Sequence, residues 1–184
     1  MKRTLIVFAA TCLALAATIT QAGETEKPNI LWIVSEDNGP WLGSYGDEFA
    51  TTPRLDTLAA KSIRYTHAYS NAPVCAPTRS ALITGAYPIA FGTENMRSTF
   101  KVPESVRFYP EYLREAGYYT SNNSKKDYNT VDRPQAWDES STEAHWRNRA
   151  VGQPFFHVSN LFVTHESRLH RGSLAENHDP ADVQ

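Results

Sequence analysis

Cysteine is nearly missing from this sequence. There are two in 184 residues, Cys12 and Cys75, too few for a disulfide scaffold or a cysteine-rich zinc module. An excess of one charge is missing too. Lys and Arg number 18 against 20 Asp and Glu, a net charge of -2, so no basic field points to nucleic acid. Mean hydropathy is -0.47, and no long apolar run follows the first 22 residues, which excludes a membrane bundle. Repeats and low-complexity tracts are absent as well. What is present, 41% hydrophobic and 21% charged residues, suits one ordinary globular domain.

The first residues read as an address. Lys2 and Arg3 form a basic start, Leu5 to Ile19 is almost unbroken apolar and small residues, and Thr20-Gln21-Ala22 offers a small-residue cleavage site. Residues 1–22 are thus expected to be a signal peptide and 23–184 the mature chain, exported to the periplasm or beyond. No membrane span is expected after cleavage, because the run is shorter than the roughly 20 residues a spanning helix needs. Cys12 sits mid-run without the large aliphatic neighbour of a lipoprotein site. That leaves Cys75 as a lone cysteine in an exported chain, with no partner of its own.

Further along, Asn29 to Ser35 reads as a strand buried on both faces, because its apolar residues do not alternate. It ends at Glu36-Asp37-Asn38-Gly39-Pro40. Thr52-Pro53 opens a helix carrying Leu55, Leu58 and Ala59 on one face. Ile63 to Ala68 alternates like a short strand. Pro77 starts a helix that runs to Thr84 and stops at Gly85. Tyr109, Tyr112, Leu113 and Ala116 have helical spacing, from Pro110 to Gly117. Tyr118 to Ser121 and Phe155 to Val163 read as strands, and Asp127 to Gln153 as mostly loop. Strands alternating with helices predict an α/β fold with a largely parallel sheet flanked by helices.

The sharpest local feature runs from Pro73 to Gly85. Cys75 lies just ahead of a helix start, where free N–H groups favour an anion, and Arg79 follows one turn later. Such a cysteine is a reactive position; a generic pair of this kind reads more often as a packing cysteine and a surface arginine. A tyrosine-phosphatase loop is disfavoured, since only three residues separate Cys75 from Arg79. Glu36 and Asp37, Lys125 and His165 each fall just past a predicted strand end, where open α/β sheets bind ligands. Singly, each has a plainer reading: a solvated acidic pair, a surface lysine, a capped histidine. Two adjacent carboxylates also suit a hard cation such as Ca²⁺.

Cys75-x-Pro77-x-Arg79, followed by Ser80-x-Leu82-x-Thr84-Gly85, resembles the signature of the formylglycine-dependent type I sulfatases, members of the alkaline-phosphatase-like superfamily. Pro28 to Asp37 looks like that family's first strand and acidic pair. Thr52 to Ala59 looks like its first helix, Ala116 to Thr120 with Ser124-Lys125 like its lysine segment, and Thr164-His165-Glu166 like its strand-end histidine. The resemblance spans about Pro28 to Arg168. It implies an alkaline-phosphatase-like fold and a sulfuric ester hydrolase. It also implies that a modification enzyme oxidises Cys75 to formylglycine and that Ca²⁺ (Mg²⁺ as the alternative) is held by Glu36, Asp37 and residue 75. Catalytic roles fall to residue 75, Arg79, Lys125 and His165.

Three positions depart from the family pattern. Asp127 stands where a histidine often follows the lysine by two residues, Gly92 lacks a preceding histidine, and Glu36 replaces the first acid of the pair. Nothing from Gly172 to Gln184 resembles the family's second acidic segment, so the chain reads as the N-terminal part of a longer sulfatase. Sulfated glycans are the expected substrate class. Trp41, Tyr45, Tyr128 and Trp137 are aromatics in predicted loops, suited to stacking on sugars or to packing. The competing readings are a phosphatase or phosphonate monoester hydrolase of the same superfamily, and a non-catalytic vestigial protein.

Overall fold

The computed structural model describes residues 26–169; the expected leader and the polar end from Gly172 lie outside the described residues. Four strands form one sheet: β1 (Ile30–Ser35), β2 (Tyr119–Asn123), β3 (Glu139–Ser140) and β4 (Phe155–Leu161). Their order is β1-β4-β2-β3. Every pairing is parallel, with Trp32 opposite Val158 and Asn122 opposite Val158 from the other side. The fold is therefore α/β with a parallel sheet, as the alternating pattern predicts.

Three α-helices accompany the sheet among the described residues: α1 (Pro53–Ala59), α2 (Cys75–Thr84) and α3 (Tyr109–Glu115). In α2, Pro77 sits inside the first turn, where its missing N–H removes no helical bond. Gly85 ends the helix at φ 71°, its N–H donating to the carbonyl of Ala81, the left-handed cap that glycine adopts without a Cβ clash. In α3 the Glu111 carboxylate accepts the Phe108 N–H at 3.0 Å and two bonds from Arg133. Those Arg133 bonds hold the Glu111 carboxyl below the usual carboxylate range.

The core lies between one face of the sheet and α2–α3. Phe108, Ile83, Val102, Tyr118, Trp137, Phe156 and Val158 are buried there, and Trp137 stacks on Phe156 at 5.9 Å. Each large side chain so buried contributes roughly 1.5–3 kcal/mol.

Several expectations are corrected. β1 is not buried on both faces: Trp32 and Val34 pack inward, while Leu31 and Ile33 are 49% and 60% exposed. It is an edge strand with one face uncovered among the described residues. Ile63 to Ala68 forms no strand. It is not part of the sheet, and Ile63 and Tyr65 are exposed. Thr52 precedes α1 but makes no cap bond; its hydroxyl accepts from Gly43 N–H and donates to Asp56. Leu55 and Leu58 remain exposed. The stretch from Asp127 to Gln153 is mostly loop, as expected, apart from the two-residue β3 and short 3-10 turns, and it buries Tyr128 and Trp137 in the core, the packing alternative of their two readings. No helix among the described residues is long and apolar enough to cross a membrane.

Candidate active site

The site forms where the parallel strands end and α2 begins. Glu36 follows β1 directly and is buried. Its backbone N–H donates to the Thr164 hydroxyl at 3.0 Å, tying the end of β1 to the segment after β4. Its carboxylate is the hub. Oε1 accepts from Arg79 Nη2 at 2.6 Å, Oε2 accepts from Lys125 Nζ at 2.5 Å, and His165 Nε2 lies 3.7 Å from Oε2. His165 Nδ1 lies 2.8 Å from the Ser167 hydroxyl and 3.2 Å from the Ser167 N–H, so Nε2 is the ring nitrogen that faces Glu36.

Cys75 is the first residue of α2, which begins two residues before the start at Pro77 that the proline pattern indicates. Its thiol is half-buried and donates to Asp127 Oδ2 at 3.7 Å. Arg79 lies one turn on, on the buried side of the helix. Besides Glu36, it donates to Asn160 Oδ1 at 2.6 Å and to the Lys125 carbonyl at 3.3 Å. A guanidinium fixed by three acceptors is rigid, and its fork is already aimed. Asp37 turns away. It adopts φ 55° and its carboxylate accepts the Glu166 N–H at 2.8 Å.

The structure thus gathers Glu36, Cys75, Arg79, Lys125 and His165 at one sheet end, with Asp37 at its rim. A cavity of about 290 Å³ opens beside them, lined by Cys75, Arg79, Asn160, Trp32, Tyr109 and Tyr128 among others. Burial pushes the phenols of Tyr109 and Tyr128 up, so both stay protonated.

Three participants carry no role in the sequence reading. Asn160 Nδ2 donates to Asn122 Oδ1 at 3.0 Å and to the Asn123 carbonyl at 2.9 Å, so the two amides lock Arg79 to the ends of β2 and β4. Asp127 is visible in the sequence only as a departure, yet it is the carboxylate that reaches Cys75. The signal for Asn160 was available: it is the polar residue in phase with Phe156 and Val158 in an apolar strand.

A hard cation finds the right donor type here but an incomplete donor set. Glu36 and Asp37 offer carboxylate oxygens, while both oxygens of Glu36 face cations. No cluster of three or more His, Cys, Asp or Glu among the described residues is placed to hold a metal, and Ca²⁺ takes 6–8 oxygens.

An α/β sheet whose strand ends bring a helix-borne cysteine beside an arginine and a lysine gathers the donors that suit a tetrahedral anion. The chain belongs to the sulfatase family, whose profile matches residues 28–177. It is 46% identical over 156 residues to an ulvan-active sulfatase of Formosa agariphila, covering 78% of this chain and 26% of that protein. It is 30% identical over 139 residues to human iduronate 2-sulfatase, covering 72% of this chain and 25% of that protein. Among solved structures, the 2-O GAG sulfatase BT1596 shares the fold, with TM-score 0.65 at 21% identity over 84% of this chain and 38% of that one. The chain spans about a quarter of the length of the curated relatives named here.

Proposed function

We propose that this chain carries the nucleophile-bearing portion of an exported sulfatase that acts on sulfated glycans. The observation that carries the reading is the convergence of Arg79, Lys125 and His165 on one buried carboxylate beside Cys75. The sulfatase family match and the ulvan-active relative support the substrate class.

Oxidised to formylglycine, residue 75 would supply a hydrated aldehyde as the nucleophile toward a sulfate ester. Ca²⁺ held in part by Glu36, Asp37 and residue 75 would neutralise charge on the anion. The chain's own residues do the rest. Arg79, held by Glu36 and Asn160, presents a preorganised donor fork beside residue 75. Lys125 Nζ, also on Glu36, provides a second positive charge for the sulfate oxygens. His165 directs Nε2 into the same space, the place from which a general acid would reach a departing sugar oxygen. The apolar walls of the cavity exclude water and strengthen these contacts. The leader at 1–22 supports export.

The test is the full-length protein made in a host with the modification enzyme. The peptide containing Cys75 should show the mass loss of thiol-to-aldehyde conversion. Sulfate should be released from sulfated oligosaccharides, and Cys75→Ala should abolish release. An unmodified thiol in such a host, with no sulfate released, would refute the reading.

A further inference from the structure

On the side of Asp127 away from Cys75 lies a second concavity, about 300 Å³, which the catalytic reading does not use. Arg97, Ser98, Thr99, Lys126, Asp127 and Asp132 line it. Its charges come in two pairs. Arg97 Nη1 meets Asp127 Oδ1 at 2.8 Å, and Lys126 Nζ meets Asp132 Oδ2 at 2.5 Å. The Arg97 side chain is 69% exposed and that of Lys126 41%. Such half-exposed pairs add little to stability.

The backbone around the cleft is held in a costly form. Arg97, Asp127 and Asn129 all have positive φ, 65°, 45° and 57°, which side-chain-bearing residues adopt only where surrounding bonds enforce it. Those bonds are present. Asn129 Nδ2 donates to the carbonyls of Thr93 and Asn95, both at 2.7 Å, and the Thr130 hydroxyl donates to the Phe100 carbonyl at 2.5 Å. They stitch the 93–100 loop to the segment after Lys125, so the cleft is a fixed shape.

Its chemistry favours one ligand class. The two cations and two carboxylates cancel, so the cleft has no pull for a second free anion. Beside them stand the hydroxyls of Ser98 and Thr99. Sugar hydroxyls both donate and accept, and a carboxylate next to a guanidinium or ammonium satisfies both roles. The size admits about one sugar ring. Asp127 links the two places, with Oδ1 on Arg97 in the cleft and Oδ2 on Cys75 in the site. A ring in the cleft is therefore adjacent to the group under attack.

We infer that this cleft is a subsite for the hydroxyls of the sugar next to the sulfated one, with Arg97 and Lys126 as its specificity-determining residues. The inference rests on the glycan-sulfatase reading above. Its test compares two substrates of the full-length, modified enzyme: a sulfated oligosaccharide and the sugarless 4-methylumbelliferyl sulfate. For Lys126→Ala the fall in kcat/KM on the oligosaccharide should exceed the fall on the aryl sulfate by about tenfold, the effect of one lost charged hydrogen bond, and should appear mainly in KM. Equal falls on both substrates would overturn the subsite. As a second measure, the desulfated oligosaccharide should inhibit aryl sulfate hydrolysis, with an inhibition constant about tenfold higher in Lys126→Ala; equal constants overturn it too. Failure of the underlying reading looks different: wild-type enzyme that cleaves the aryl sulfate but none of the sulfated oligosaccharides.

Discussion

The two faces of the sheet are built from the same strands and meet opposite fates. On one, Ile30, Trp32 and Val34 continue into Phe156 and Val158 under α2 and α3. On the other, Leu31, Ile33 and Leu161 stay largely exposed. The covered face does more than fill a core. Glu36 continues the phase of Trp32 and Val34, Asn160 that of Phe156 and Val158, and Asn122 that of Thr120. The side chains that hold Arg79 and Lys125 are thus the next residues of the packed layer, at the point where it turns from apolar to polar. A site extended from a close-packed layer inherits its rigidity. The other face carries no such continuation.

The largest expected effects test that continuity. Glu36→Ala removes the shared carboxylate, leaving Arg79 nearly buried with no counter-charge and Lys125 with only Asp127, 4.0 Å away, which should cost about 3–5 kcal/mol. Phe156→Ala should cost a similar 3–5 kcal/mol through the cavity it opens under Trp137. Urea unfolding measures both. A loss under about 1 kcal/mol for Phe156→Ala, well short of core truncations, would show that the covered face is loosely packed. Asn160→Ala comes next, at about 1–3 kcal/mol for the bonds left unmade to Arg79 and Asn122. If the continuity holds, the loss in Asn160→Ala is accompanied by faster hydrogen exchange at the ends of β2 and β4.

The covered half of the second face gives a pH test. His157 shares the phase of Leu161 but lies beneath Trp146, 5.2 Å away, with Nδ1 on the Ser121 hydroxyl at 2.7 Å. Burial holds its imidazole below the ordinary histidine range, with the nearby His145 pushing the same way and Glu139 against it. The unfolded chain takes up the proton near pH 6.5 while the folded one does not. The stabilising contribution is therefore complete above about pH 6.5 and is lost as pH falls below it. The urea midpoint should decline from there downward in the native chain and decline less in His157→Phe. Identical pH profiles would place the titration elsewhere.

Much of this was legible in the residues themselves. The Pro73–Gly85 segment announces a helix with a reactive start, because proline, glycine and an isolated cysteine each constrain what the chain can do. Glu36, Lys125 and His165 were recognisable from their places after apolar runs. What stayed hidden depends on neighbours. An unbroken apolar run such as Ile30–Val34 does not reveal which phase is covered, since that is decided by where α2 and α3 dock. The alternation at Ile63–Ala68 looks like a strand, but a strand needs a partner edge. Tyr128 and Trp137 sit in a polar stretch that left packing and sugar stacking equally open, and only the fold shows that they close the core. Asp127 reaches Cys75 only through a left-handed backbone turn, which spacing alone does not disclose.

The smallest expected change in stability belongs to the uncovered face. Leu31→Ser and Ile33→Ser should each alter folding free energy by no more than about 0.5 kcal/mol, since neither side chain loses much packing. Their effect should instead be on association. Among the described residues β1 is the edge of the sheet and presents an unpaired ladder beside an apolar strip of Leu31, Ile33 and Leu161. An open edge and an adjoining apolar patch together form a template for another chain. Residues 23–184 expressed alone should therefore self-associate with rising concentration in light scattering, and the double variant should do so less. The stability measurement separates the causes: reduced association at unchanged urea midpoint assigns the stickiness to the exposed face, whereas unchanged association would locate it elsewhere on the surface.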